Sequence, residues 1–249
     1  MEERLKSAII SATQQAGFYL KNPNGSKKTP AEVEKRCRDT LLRGIRNADP
    51  TLSLWGEERE TPERAVAICP LDSSLNFARG LGAYGVMAAY IEESRPVLGA
   101  LFFPESGIMI SAERGKGARI DGRKTSVSMR SELSSALVCC SCDGYMQDVR
   151  SVVPVALGVI QVLAENGIQW RNSGSPSADY AAVASGKADA LVAPMQESAH
   201  AAGYLIMEEA GAQVTDRSGN RFTLHSQGVV AANPDLHGPL LELLQGSLG

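Results

Sequence analysis

Apolar residues at Leu5, Ala8, Ile9, Ala12, Ala16 and Leu20 recur in steps of three and four, which predicts an amphipathic helix over residues 2–20. Asn22-Pro23-Asn24-Gly25 stops it. Thr29-Pro30-Ala31-Glu32 opens a second helix, with Thr29 as N-cap, Pro30 at the first helical position and Glu32 reaching back to the cap. That helix is expected to run to about Asn47, before Asp49-Pro50. The texture then changes to short apolar runs at 52–55, 65–68, 83–91, 97–103, 108–112 and 117–120. Residues 92–96 join two of these runs as a hairpin, and Asp121-Gly122 reads as a tight turn.

The second half alternates. Strands are expected at 137–141, 188–193 and 229–232, and helices at 149–166, 177–185, 198–210 and 236–244. Gly186 and Gly211 are suited to end two of those helices. There is no repeat and no low-complexity linker. The expected organisation is one compact unit of two lobes. Residues 1–130 form an α+β lobe with the larger sheet, and residues 131–249 an α/β lobe.

Composition adds exclusions. The 249 residues are 43% hydrophobic and 21% charged, ordinary globular values that exclude disorder and fibrous classes. A net charge of −3 gives no basic footprint for nucleic acid. No apolar run approaches a membrane span, and the N-terminus lacks a signal-peptide pattern, so a cytoplasmic protein is expected. The five cysteines are odd in number and three crowd into Cys139-Cys140-Ser141-Cys142, a poor disulfide framework. That cluster could ligate zinc. The apolar flank favours a buried strand whose thiols act as small hydrophobes.

Four segments carry candidate chemistry: Trp55-Gly56-Glu57-Glu58, Cys69-Pro70-Leu71-Asp72-Ser73-Ser74-Leu75-Asn76-Phe77, Gly115-Lys116-Gly117-Ala118, and 199–216. Taken singly, Glu57-Glu58 also reads as a solvated turn, and Asp72-Ser73-Ser74 as a helix N-cap. In this order, with Asp121-Gly122, 183–190 and Glu209-Ala210-Gly211, they resemble the inositol monophosphatase family of magnesium-dependent phosphomonoesterases. The resemblance spans nearly the whole chain and implies a layered αβαβα sandwich of the α/β (α+β) class. It implies that Glu57 ligates metal and holds the attacking water, with the Leu71 carbonyl and Asp72 as further ligands. It also implies that the Ser74 hydroxyl orients that water, and that the Ser73 and Ser74 N–H groups, beside Asp72, hold the phosphate.

Four positions depart from the family pattern. The first Asp of the family's Asp-Pro-x-Asp is Cys69, whose thiol is a softer ligand. The Asp of the family's Trp-Asp falls on Ala199, which cannot coordinate. The acidic sugar-contact position falls on Ala193. The turn that offers N–H groups to substrate reads Gly174-Ser175-Pro176, and Pro176 has none. Glu197 could swing in as a substitute carboxylate, and His200 could join Cys69 in a soft-metal site. Their plainer readings are a solvated residue and a hydrogen-bonded helix histidine.

The expectation is a divergent phosphomonoester hydrolase with weakened or lost Mg²⁺-dependent activity. Its alternative is a non-catalytic binding or regulatory protein that retains the fold. By resemblance the cofactor is weakly held Mg²⁺, the partner of an active form is a small phosphorylated metabolite, and the assembly is a homodimer.

Overall fold

The computed structural model describes residues 3–21, 29–56, 62–141, 149–193, 198–226 and 228–248. Two long helices open the fold, α1 (Glu3–Lys21) and α2 (Pro30–Ala48). The apolar stripe of α1 is buried at Leu5, Ile9, Ala12, Ala16 and Leu20, as its period predicts. The capping box of α2 is complete: Glu32 N donates to Thr29 Oγ1 at 3.3 Å, and Thr29 N to Glu32 Oε2 at 2.8 Å.

A seven-stranded sheet follows in sequential order: β1 (Ser53–Leu54), β2 (Arg64–Cys69), β3 (Val86–Glu92), β4 (Arg95–Phe103), β5 (Ile108–Glu113), β6 (Gly117–Ile120) and β7 (Arg123–Lys124). Only the β1–β2 pair is parallel. Between β2 and β3 lies a short helix, α3 (Ser74–Arg79). The β3–β4 and β6–β7 turns both carry positive φ at their central residues, Glu93 and Ser94 in one, Asp121 and Gly122 in the other. This is the backbone that matches a two-residue turn to the twist of its strands.

The second sheet has the order β11-β12-β10-β8-β9. Its strands are β8 (Leu137–Cys140), β9 (Gln169–Arg171), β10 (Ala190–Ala193), β11 (Gln213–Thr215) and β12 (Val229–Ala232). The helices of this half are α4 (Val149–Glu165), α5 (Pro176–Ala184), α6 (Ala201–Glu209) and α7 (Pro234–Leu248).

Burial sorts these elements into five layers. The pair α1 and α2 covers one face of the first sheet, where Val66, Ile68, Val86 and Tyr90 meet Ile9 and Leu41. On the other face, Ala67, Cys69, Met87 and Leu101 pack with Tyr180 of α5 and Leu205 of α6, which Leu191 and Ala231 of the second sheet also join. The outer face of the second sheet packs on α4 and α7 through Val138, Cys140, Val159 and Leu240. This is the expected αβαβα sandwich.

Cys139 and Cys140 lie on opposite faces of β8, 3% and 0% exposed, as a buried strand requires. Cys142 lies outside the described residues.

Several boundaries differ from the sequence reading. The strand expected from residue 83 begins at Val86, because the Gly85 amide is committed to the Asp72 side chain. The helix expected from residue 198 opens as a 3₁₀ turn, Ser198–His200, and becomes α-helical at Ala201. The strands β7, β9 and β11 carry no expected pattern. All three are sheet edges of two or three residues held by ladder bonds; β7 and β9 are exposed, and β11 is exposed only at Gln213.

Candidate active site

A cleft of about 250 Å³ opens where four elements meet. The end of β2 and its loop supply Cys69, Leu71 and Asp72, α5 supplies Pro176, the 3₁₀ turn supplies Ala199 and His200, and α2 supplies Glu34 and Arg38. Two of these positions are separated by 127 residues, Asp72 and Ala199, and the fold brings them to one wall. Glu57 and Glu197 lie outside the described residues.

Cys69 ends β2 with its side chain on the α5 and α6 side of the sheet, 7% exposed, and is in no disulfide. Cys37, Cys139 and Cys140 are likewise buried and in no disulfide.

The run Asp72-Ser73-Ser74 opens α3, as its plainer sequence reading expects, but Asp72 is not the capping residue. The N-cap position there is Ser73, which makes no side-chain cap bond. The Asp72 carboxylate turns instead to α5. Its Oδ1 accepts from Gly85 N at 2.6 Å, and its Oδ2 accepts from Ser175 Oγ at 2.7 Å and Ser177 N at 2.9 Å. Burial pushes this carboxyl above its usual range, and the bonds from Ser177, Gly85 and Ser175 oppose that shift.

The N-terminus of α5 is satisfied from within. A helix leaves four orphan N–H groups at its start. Here Ser175 N donates to Ser173 Oγ at 3.1 Å, Ser177 N to Asp72, and Ala178 N to Ser175 Oγ at 3.3 Å. Pro176 has no N–H and occupies the first helical position, where proline is favoured.

Ser73 is buried and donates from Oγ to Gly174 O at 2.5 Å, whereas Ser74 is an exposed first residue of α3. Ala193 is buried in β10 and packs in the core between the sheets. His200 is 3% exposed and shares a 3.0 Å hydrogen bond through Nδ1 with the Tyr180 hydroxyl. Burial lowers its pKa to about 4, so the ring is neutral at pH 7.

The remaining motif segments join each other. Glu209 at the end of α6 accepts from Gly115 N and Gly117 N, both at 2.8 Å. Both glycines have positive φ, which presents their N–H groups to one carboxylate. These motif residues thus tie α6 to the β5–β6 turn.

The described donors do not fit Mg²⁺. That ion requires a near-octahedral set of oxygens. A carboxylate has about four lone-pair directions, and protein donors take three at Asp72. Cys69 offers soft sulfur, and Ala199 a methyl group. Among the described residues, no group of three or more His, Cys, Asp and Glu is placed to hold a metal ion.

Sequence reasoning missed Glu34, Arg38 and Ser177. The first two each follow a buried stripe residue of α2, Val33 and Cys37, so their i,i+4 spacing at the edge of the apolar stripe was the available signal. Ser177 carried none, since only the folded turn brings its amide to Asp72.

Comparison with known proteins agrees with this architecture. The model of the "Inositol monophosphatase family" matches residues 6–248. Inositol monophosphatase 2 of Solanum lycopersicum is 29% identical over 269 residues, covering 99% of this chain and 100% of its own. Nus factor SuhB of Pseudomonas aeruginosa is 29% identical over 258 residues, 96% of this chain and 91% of its own. The solved inositol monophosphatase of Anabaena superposes with a TM-score of 0.87 at 24% identity, covering 97% of this chain and 95% of that one. With the ordered motifs, the layered sandwich and a family match over nearly its whole length, the chain belongs to the inositol monophosphatase family.

Proposed function

We propose that this protein is a divergent member of its family whose Mg²⁺-dependent phosphomonoesterase activity is weakened or lost. One observation carries the reading. Asp72, the described carboxylate expected to ligate metal, is engaged by Gly85, Ser175 and Ser177, while the neighbouring expected ligand positions are Cys69 and Ala199. Metal pairs in such sites need negative charge between them, because like charges repel strongly at low effective dielectric. The closed N-terminus of α5 adds to this, since it leaves no orphan amide there for a phosphate oxygen.

In this reading Mg²⁺ is a weak cofactor, the protein is cytoplasmic, and any residual substrate is a small phosphorylated metabolite. It is also a homodimer. Leu75 on α3 and Leu81 just after it, each 66% exposed, supply apolar surface of the kind that interfaces bury. A light-scattering mass of twice 26.5 kDa is the expected result, and a monomer mass would refute that part.

The second reading, a non-catalytic binding or regulatory protein that keeps the fold, is favoured by the relatives' names. One is called a Nus factor and another an inositol monophosphatase at equal identity to this chain. Fold alone does not choose between them.

The test is turnover of an aryl phosphate and of inositol monophosphate with Mg²⁺, by the unmodified protein and by Asp72→Asn. Turnover near background in both is expected. Robust Mg²⁺-dependent turnover that Asp72→Asn abolishes would overturn the proposal.

A further inference from the structure

Three chain segments converge on one side chain. The loop after β2, the residue before β3 and the first turn of α5 are joined by the Asp72 carboxylate, through Gly85 N, Ser175 Oγ and Ser177 N. Further bonds brace the same seam. Ser73 Oγ donates to Gly174 O at 2.5 Å, and Asn76 Nδ2 lies 2.8 Å from Ala83 O and 3.2 Å from Gly174 O. The approach is close: a Cβ on Gly85 would lie 2.6 Å from Ser177 Oγ.

We infer that Asp72 is a positioning residue in this chain, a clasp that holds the 173–177 turn and the start of α5 against the strand end at Gly85, and that Mg²⁺ does not draw it from that role. This deepens the proposal of weak metal binding and rests on it. Gly85, Ser175 and Ser177 together engage both oxygens of the carboxylate, and among the described residues no group of three or more His, Cys, Asp and Glu is placed to hold a metal ion. Both of its oxygens accept bonds of the charge-assisted kind, which are short and strong.

The inference is tested by hydrogen exchange at the Gly85 and Ser177 amides of the full chain, with and without about 10 mM MgCl₂. Asp72→Asn swaps one acceptor oxygen for a donor, so exchange at one or both amides is expected to rise about tenfold or more. Ser175→Ala removes one bond to Asp72 together with the cap that Ser175 Oγ gives Ala178 N. It is expected to speed exchange at Ser177 by a smaller factor, and to add little in combination with Asp72→Asn. The Leu137 amide, held by Asp189 at 2.8 Å, is the reference and is expected to be unchanged. MgCl₂ is expected to leave the unmodified protein's pattern unaltered.

Full protection of both amides in Asp72→Asn would overturn the inference. So would a Mg²⁺-induced change at these amides that Asp72→Asn removes, since that would make Asp72 a ligand. If Asp72→Asn does not fold, unchanged Ser177 exchange in Ser175→Ala overturns it. Turnover is not read, so failure of the activity proposal is seen separately.

Discussion

His200 is the residue whose chemistry reads most directly as pH dependence. It is buried, with Nδ1 against the Tyr180 hydroxyl. Its pKa falls from 6.5 to about 4 on folding, through loss of water around the charged form. The unfolded chain therefore binds a proton between those values that the folded chain refuses. The stability this histidine contributes is present above pH 6.5 and is lost as pH falls towards 4, by up to about 1.4 kcal/mol per pH unit. His200→Gln keeps a polar group beside Tyr180 and cannot titrate. Urea unfolding at pH 7 and at pH 5 is expected to show a smaller pH loss in the variant. Equal losses would assign the acid sensitivity elsewhere. His200 lines the cleft with Cys69, and its Nδ1 hydrogen bond to Tyr180 is the one the plainer sequence reading of a hydrogen-bonded helix histidine expects.

Among the elements, α6 shows how a motif can be structural. Glu209 clasps Gly115 N and Gly117 N at 2.8 Å each and fixes the helix end to the β5–β6 turn. Glu209→Ala leaves two amides without their partner and is expected to lower stability by about 1–3 kcal/mol, with the fold retained. A shift in the urea midpoint checks this, and an unchanged midpoint would contradict it. The capping box of α2, the stripe of α1 and the buried runs of β2 to β5 were legible in the sequence because each obeys a local period or cap rule. The edge strands β7, β9 and β11 were not, because edge pairing needs only backbone bonds. Cys69, Ala199 and Pro176 were legible as departures from an ordered motif. The engagement of Asp72 by Ser177 was not, since it depends on a contact across 105 positions.

At the scale of the whole molecule, five layers place the end of β2, the start of α5 and the 3₁₀ turn before α6 around one cleft. The family scaffold is intact, and in the proposed reading Cys69 and Ala199 stand where the resemblance expects carboxylates. In the proposed function these two side chains and the engaged Asp72 weaken metal binding. Titration calorimetry with Mg²⁺ tests it directly, using the unmodified protein and the double variant Cys69→Asp with Ala199→Asp. The unmodified protein is expected to show no saturable binding below about 10 mM, and the double variant to bind at least about tenfold more tightly. Saturable binding of Mg²⁺ by the unmodified protein at about 1 mM or below, with no gain in the double variant, would contradict the account.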